Sequence, residues 1–146
     1  MLREIDIPPL WLALFAAMAW SIGQAVPIVF TLDRLFGGAL IGMGLVLMAV
    51  AAGQMVLHHT TFIPRRDPSD LVTSGAFALT RNPIYLGDAL VLTGLCLWWN
   101  AAFALPLVPA FMWLITVRFI IGEEARIGAH FGAQFHEYRA QVRRWL

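Results

Sequence analysis

The chain has 146 residues, of which 60% are hydrophobic and 13% charged, with a formal net charge of +1 and a mean hydropathy of +0.73. A soluble domain is typically about a quarter charged, and one domain of this size lacks the polar surface to wrap so much apolar side chain. Near-neutral charge excludes a nucleic-acid binder, which needs a basic face, and a single cysteine, Cys96, excludes an intramolecular disulfide framework.

The expected class is therefore an all-α integral membrane protein, a single membrane domain over residues 1–146. A membrane-spanning helix needs roughly 20 apolar residues, and four segments qualify, near residues 10–30, 37–57, 83–99 and 102–121. In the first, Gln24 and Pro27 are the serious interruptions; its alternative as a cleaved signal peptide, suggested by Ala17-Met18-Ala19, conflicts with the acidic flank of Glu4 and Asp6. The second is uncharged and carries Gly38, Gly42, Gly44, Ala49, Ala52 and Gly53, small residues that allow close helix packing, within the chain or across a homodimer. The third contains Asp88, and the fourth has Pro106 and Pro109 early and Arg118 near its end.

With four spans, nine of the ten arginines fall on the side of the termini and the central loop, and only Arg34 falls opposite. The positive-inside rule then puts both termini, the 58–82 loop and any chemistry at the cytoplasmic face. Across the membrane the connections are minimal, Thr31 to Phe36 and a turn around Asn100. Loops as long as 58–82 are usually functional or disordered; His58 and His59 at its start lack the further ligands a metal needs and read as an interfacial polar pair.

Asn82-Pro83 reads as a helix start, with Asn as the cap and Pro at the first helical position. Free N–H groups, the helix dipole and the adjacent Arg81 favour an anion there. Arg81 also fits a plain headgroup anchor. Tyr85 lies one turn in and Asp88 about one more; an acid there suits the dipole, but an ionisable group within a span is a functional candidate. Glu123 and Glu124 close the fourth apolar run, about 100° apart on a helix, placed to bind an ammonium or to pair with Arg126. Residues 123–145 then read as one amphipathic helix, with Ile127, Phe131, Phe135, Tyr138, Val142 and Trp145 forming the apolar stripe.

Leu71-Val72-Thr73, Gly75, Phe77, Thr80-Arg81-Asn82-Pro83, Tyr85 and Gly87 together resemble the first signature of the isoprenylcysteine carboxyl methyltransferase and phospholipid methyltransferase superfamily. Glu123-Glu124, Phe131-Gly132, Tyr138, Val142 and Arg144-Trp145 resemble the second. The likeness spans Leu71 to Trp145 and points to the small prokaryotic branch. Asn82 stands where a His is usual, and Phe77 where a Tyr is frequent.

The resemblance implies an enzyme using S-adenosylmethionine, with a lipophilic acceptor arriving from the bilayer: a prenylcysteine-like carboxylate, a thiol, or an amine or phospholipid headgroup. It implies that Gly75, Asn82, Pro83 and Tyr85 line the cofactor site and that Glu123 or Glu124 receives the methionine ammonium. Arg81 and Arg144 are candidates to hold an acceptor carboxylate or phosphate, and Asp88 to meet an acceptor amine. The alternatives are an NADPH-dependent reductase related to sterol reductases and a non-catalytic membrane subunit.

Overall fold

The computed structural model describes residues 6–29, 31–59 and 69–146. Within them every regular element is helical. Helix α1 spans Pro8–Ala25, α2 Asp33–Leu57, α3 Ala76–Leu79 and α4 Pro83–Trp98. A 3₁₀ turn at Ala102–Ala104 leads into α5, Leu107–Ile115, which continues through a π-helical turn, Thr116–Ile120, into α6, Ile121–Phe131; α7 is Ala133–Gln141. Arg3, Arg65 and Arg66, three of the arginines that set the expected orientation, lie outside the described residues.

Two helical stretches are long and apolar enough to cross a membrane, Asp33–Leu57 and Ala102–Phe131, and Pro83–Trp98 is a shorter apolar helix. Four spans is thus a larger number than the helices meet by length and composition. The 16 residues of α4 rise about 24 Å, short of a hydrocarbon core of about 30 Å. Paired prolines, two tryptophans, Ser21 and Gln24 dilute α1.

Helix α4 is the centre of the bundle. It packs against α1, α2, α3 and α5, and nine of its residues are buried, from Pro83 to Cys96. By contrast α2 buries only Gly37, Gly44 and Ala51 and leaves Phe36, Met43, Leu45, Val46, Val50 and Leu57 exposed. A helix apolar all round and covered on one stripe is stable where lipid takes the other sides.

Antiparallel α2 and α4 touch backbone to backbone at two levels. A Cβ on Gly44 would stand 2.6 Å from the carbonyl oxygen of Gly87, and one on Gly37 2.7 Å from that of Gly94. The close-packing stripe is therefore Gly37, Gly44 and Ala51, seven residues apart, rather than Gly38 and Gly42: Gly42 and Gly53 face open space, and Gly38 faces the Trp98 ring.

On the other side of α4 an apolar cluster joins Tyr85 and Leu92 to Phe111, Ile115, Phe119 and Ile120, with Trp11, Phe15 and Trp145 packed on it. Phe15 and Phe111 meet edge to face at 5.5 Å. Cys96 is buried with Ala19, Ala101 and Ala104 in a second cluster, acting as a small hydrophobe. Asn100 makes the expected turn with φ of 57°, and its carbonyl accepts the Ile28 N–H at 2.8 Å, tying the end of α1 to the exit of α4. At the opposite end Arg118 is satisfied by Asp6, at 2.8 Å, and lies over the Trp11 ring.

Two expectations about the C-terminal half change. Glu123 and Glu124 do not end a helix, because the path runs on to Phe131. Residues 123–145 are also not one helix: Gly132, at φ of 51°, breaks it, and the chain is non-helical beyond Gln141. The apolar stripe still serves, since Phe135 and Tyr138 are buried, and the Tyr138 hydroxyl donates to the Phe77 carbonyl at 2.6 Å.

Gly44→Val should lower thermal stability in detergent by about 1–3 kcal/mol, as overpacking does, while Gly42→Ala should change it by less than about 0.5 kcal/mol. Burial pushes the Tyr138 hydroxyl up to about 12, above the ordinary value of about 10. Its contribution is therefore complete below pH of about 10 and lost as pH rises through 12. The stability advantage of the wild type over Tyr138→Phe, about 1 kcal/mol at neutral pH, should shrink across that interval in parallel melts.

Candidate functional site

The polar groups converge where α4 begins. Thr80 is fully buried; its hydroxyl accepts the Asn82 N–H at 3.2 Å and donates to the Arg144 carbonyl at 3.1 Å. The Asn82 side chain is not used as a helix cap. Its Nδ2 instead donates to the same Arg144 carbonyl, at 3.0 Å, and the Arg81 N–H donates to the Arg143 carbonyl, also at 3.0 Å. The C-terminal segment is thus laid across the start of α4 by its own backbone, which is why α7 stops at Gln141. Downstream, the Trp145 Nε1 donates to the Thr116 hydroxyl at 3.3 Å, fastening the segment to the π-helical turn.

Glu124 joins three pieces of chain. Its carboxylate accepts Nε and Nη2 of Arg144 at 3.0 and 2.7 Å and lies 3.2 Å from Nη2 of Arg81. The side chains of Arg81 and Glu124 are 9% and 12% exposed, so the pair works at reduced dielectric and is strong. Burial pulls the Arg81 guanidinium below its ordinary value against the opposing charge of Glu124; hydrogen bonds to Glu124 lift Arg144 above it. Both remain cationic. Arg81 keeps Nε and Nη1 buried with no hydrogen-bond partner among the described residues.

One helical position away, Glu123 accepts the Tyr85 hydroxyl at 2.9 Å. The two carboxylates, expected to diverge, face the same neighbourhood through different partners. Pro83 is buried beneath this cluster at the first position of α4. Asp88, 3% exposed, stands deeper on α4, within electrostatic reach of the Tyr85 phenol.

Gly75 sits in the loop before α3 at φ of 60°, and a Cβ there would collide with the Gln54 side chain. Gln54 is a site component that the sequence reading passed over. Its Oε1 accepts the Ala76 N–H at 2.9 Å and its Nε2 donates to the Ser74 carbonyl at 3.1 Å, clamping the loop to the end of α2. A signal existed: after its first turn, α2 has no other polar side chain than Gln54. His58 is paired with Asp70 at 2.7 Å, closing the same end of the loop. The structure therefore brings Arg81, Asn82, Pro83, Tyr85, Glu123, Glu124 and Arg144 together, with Gly75 shaping the adjoining loop and Asp88 one step inward.

Glu124→Gln would leave two arginines, one of them buried, sharing a neutral amide. A loss of about 3 kcal/mol of thermal stability is expected, with Arg144→Ala costing less because that side chain is 34% exposed; calorimetric or fluorescence melts of the purified variants check the order.

No curated protein and no solved structure matches this chain significantly. Among protein families, residues 32–134 match the phospholipid methyltransferase family, which is more than two thirds of the chain and takes in α2, the Gln54-held loop, α4 and both glutamates. The match and the apolar helices agree on a membrane protein of a methyl-transferring class: the chain belongs to the phospholipid methyltransferase family.

Proposed function

We propose that this protein is an S-adenosylmethionine-dependent methyltransferase acting on a lipophilic acceptor that enters from the bilayer. In this reading the site faces the cytoplasm across a prokaryotic inner membrane crossed by four helices. The arginine bias supports that orientation, and the family match supports the reaction class.

The observation that carries the cofactor assignment is Arg81. A buried guanidinium with two unaccepted N–H groups, beside a pair of carboxylates, fits the amino-acid end of the cofactor, which presents one carboxylate and one ammonium. Arg81 would take the carboxylate. Glu123 is the better candidate for the ammonium, because both oxygens of Glu124 already serve Arg144. Asn82 and Tyr85 hold the walls, and Gly75 lets the loop pass close to Gln54. Arg144 is then a positioning residue rather than an acceptor ligand, since its Nε and Nη2 hold Glu124.

When bound, S-adenosylmethionine supplies an electrophilic methyl group on a sulfonium. The chain's part is to fix that group, keep water out through the C-terminal segment and Trp145, and present the acceptor in line. Positioning of this kind supplies much of the acceleration in such transfers.

Isothermal titration of the detergent-solubilised protein with S-adenosylhomocysteine tests the reading. The wild type should bind in the micromolar range. Glu123→Gln keeps an acceptor for the Tyr85 hydroxyl while removing the charge, so the folded variant should bind at least about tenfold more weakly, the worth of one charge-assisted contact. A folded wild type that ignores S-adenosylhomocysteine would sink the proposal.

A further inference from the structure

The helical path from Leu107 to Phe131 is interrupted by the π-helical turn Thr116–Ile120. There the Ile121 N–H donates to the Thr116 carbonyl, five residues back rather than four. Such a turn takes in one extra residue, so everything beyond it is turned back by about 100° relative to an unbroken α-helix. Burial records that rotation. Counted from Phe111, an unbroken helix would put Ile120 about 180° away, on the opposite side. Yet Phe111 and Ile120 are both fully buried, in one cluster with Ile115 and Phe119. Ile121 is 49% exposed, as expected once about 100° is taken out and it, rather than Ile120, stands opposite Phe111.

The rotation carries into the next turn. Without it Glu123 would lie about 120° and Glu124 about 220° around from Phe111, both well off the face that packs on α4. With it they fall at about 20° and 120°, and the structure joins Glu123 to Tyr85 and Glu124 to Arg81. A π-helical turn is rare, and side chains from both ends of the chain hold this one. The Thr116 hydroxyl donates to the Met112 carbonyl at 2.7 Å and accepts the Trp145 Nε1–H at 3.3 Å. Nε of Arg118 donates to the Asp6 carboxylate at 2.8 Å, and the guanidinium lies 5.2 Å from the centre of the Trp11 ring. Trp11 Nε1 donates to the same Asp6 oxygen at 2.9 Å, which fixes the ring under the cation.

Resting on the function proposed above, we infer that the π-helical turn aims Glu123 and Glu124 at the start of α4, and that Thr116 and Arg118 are positioning residues that keep the turn from reverting to α-helix. Reversion would swing both glutamates about 100° around the helix. It would separate them from Tyr85, Arg81 and Arg144. The segment around Asp6 thus acts on the site through the phase of a helix.

Deleting Val117, a 54% exposed residue of the turn, tests the aim in the full chain in nanodiscs. A regular α-helix one residue shorter keeps Glu123 and Glu124 on the same face, so the deleted chain should bind S-adenosylhomocysteine within about threefold of the wild type. Glu124→Gln should lower its melting temperature as it lowers that of the wild type. Thr116→Val/Arg118→Ala should bind S-adenosylhomocysteine at least about threefold more weakly, since chains with the glutamates turned away do not bind. Deleting Val117 in that background should restore the affinity, because a regular helix needs no anchors; loss of a merely structural contact would not be restored. A deleted chain that unfolds, or that is indifferent to Glu124→Gln, overturns the inference. So does a double variant that binds like the wild type, or one whose loss survives the deletion. A wild type that ignores S-adenosylhomocysteine sinks the proposed function alone, because the melts report the aim of Glu124 without the cofactor.

Discussion

The carboxylate of Glu124 is the joint on which the polar end of the bundle depends. It sits on the first turn of α6 and takes up Arg81 from the segment entering α4 and Arg144 from the C-terminal segment. A charge shared by two guanidiniums in a largely dry setting is strong as long as all three partners are present and expensive once one is missing. The hydrogen bonds from the Thr80 hydroxyl, the Arg81 N–H and the Asn82 side-chain amide to the carbonyls of residues 143 and 144 work alongside it. Entry to α4, the glutamate pair and the C-terminal segment are therefore placed as one unit, although they are far apart in sequence.

That unit is only as well placed as α4, and α4 is held by contrast between its two sides. Toward α2 the contact is glycine on glycine, so the helices approach until backbone meets backbone. Toward α1, α5 and the π-helical turn the contact is large and aromatic. Close approach on one side and bulky filling on the other fix the axis of α4. Its buried polar side chain, Asp88, and the hydroxyl of buried Tyr85 lie in its first two turns.

Within those turns the chemistry separates by depth. At the surface of the bundle Arg81 offers unaccepted donors beside two carboxylates, suited to a zwitterion. Deeper in, Asp88 is buried on the second turn of α4. Tyr85 stands between the two, bonded to Glu123 on one side and within reach of Asp88 on the other.

Composition and periodicity were sufficient for the all-helical class, for α2 and for the membrane setting, because apolarity over a helix length is a local property. The Thr80–Gly87 and Glu123-Glu124 motifs likewise marked the segments that meet in the candidate site, since each is contiguous in the chain. What the sequence could not carry was the pairing. Asn82 reads as a helix cap by propensity, yet its amide goes to Arg144, because a carbonyl some sixty residues away in the chain arrives within 3.0 Å. The glycines that matter are Gly37 and Gly44 rather than the Gly38 and Gly42 motif, because which face of α2 meets α4 depends on the neighbour and not on α2. The helix at Glu123 does not stop where the apolar run stops but continues to Phe131. Local sequence determined which segments are helical and which residues are chemically able; only long-range contact decided which of those residues meet, because hydrogen bonds and ion pairs form between whatever groups the packing of apolar faces brings within reach.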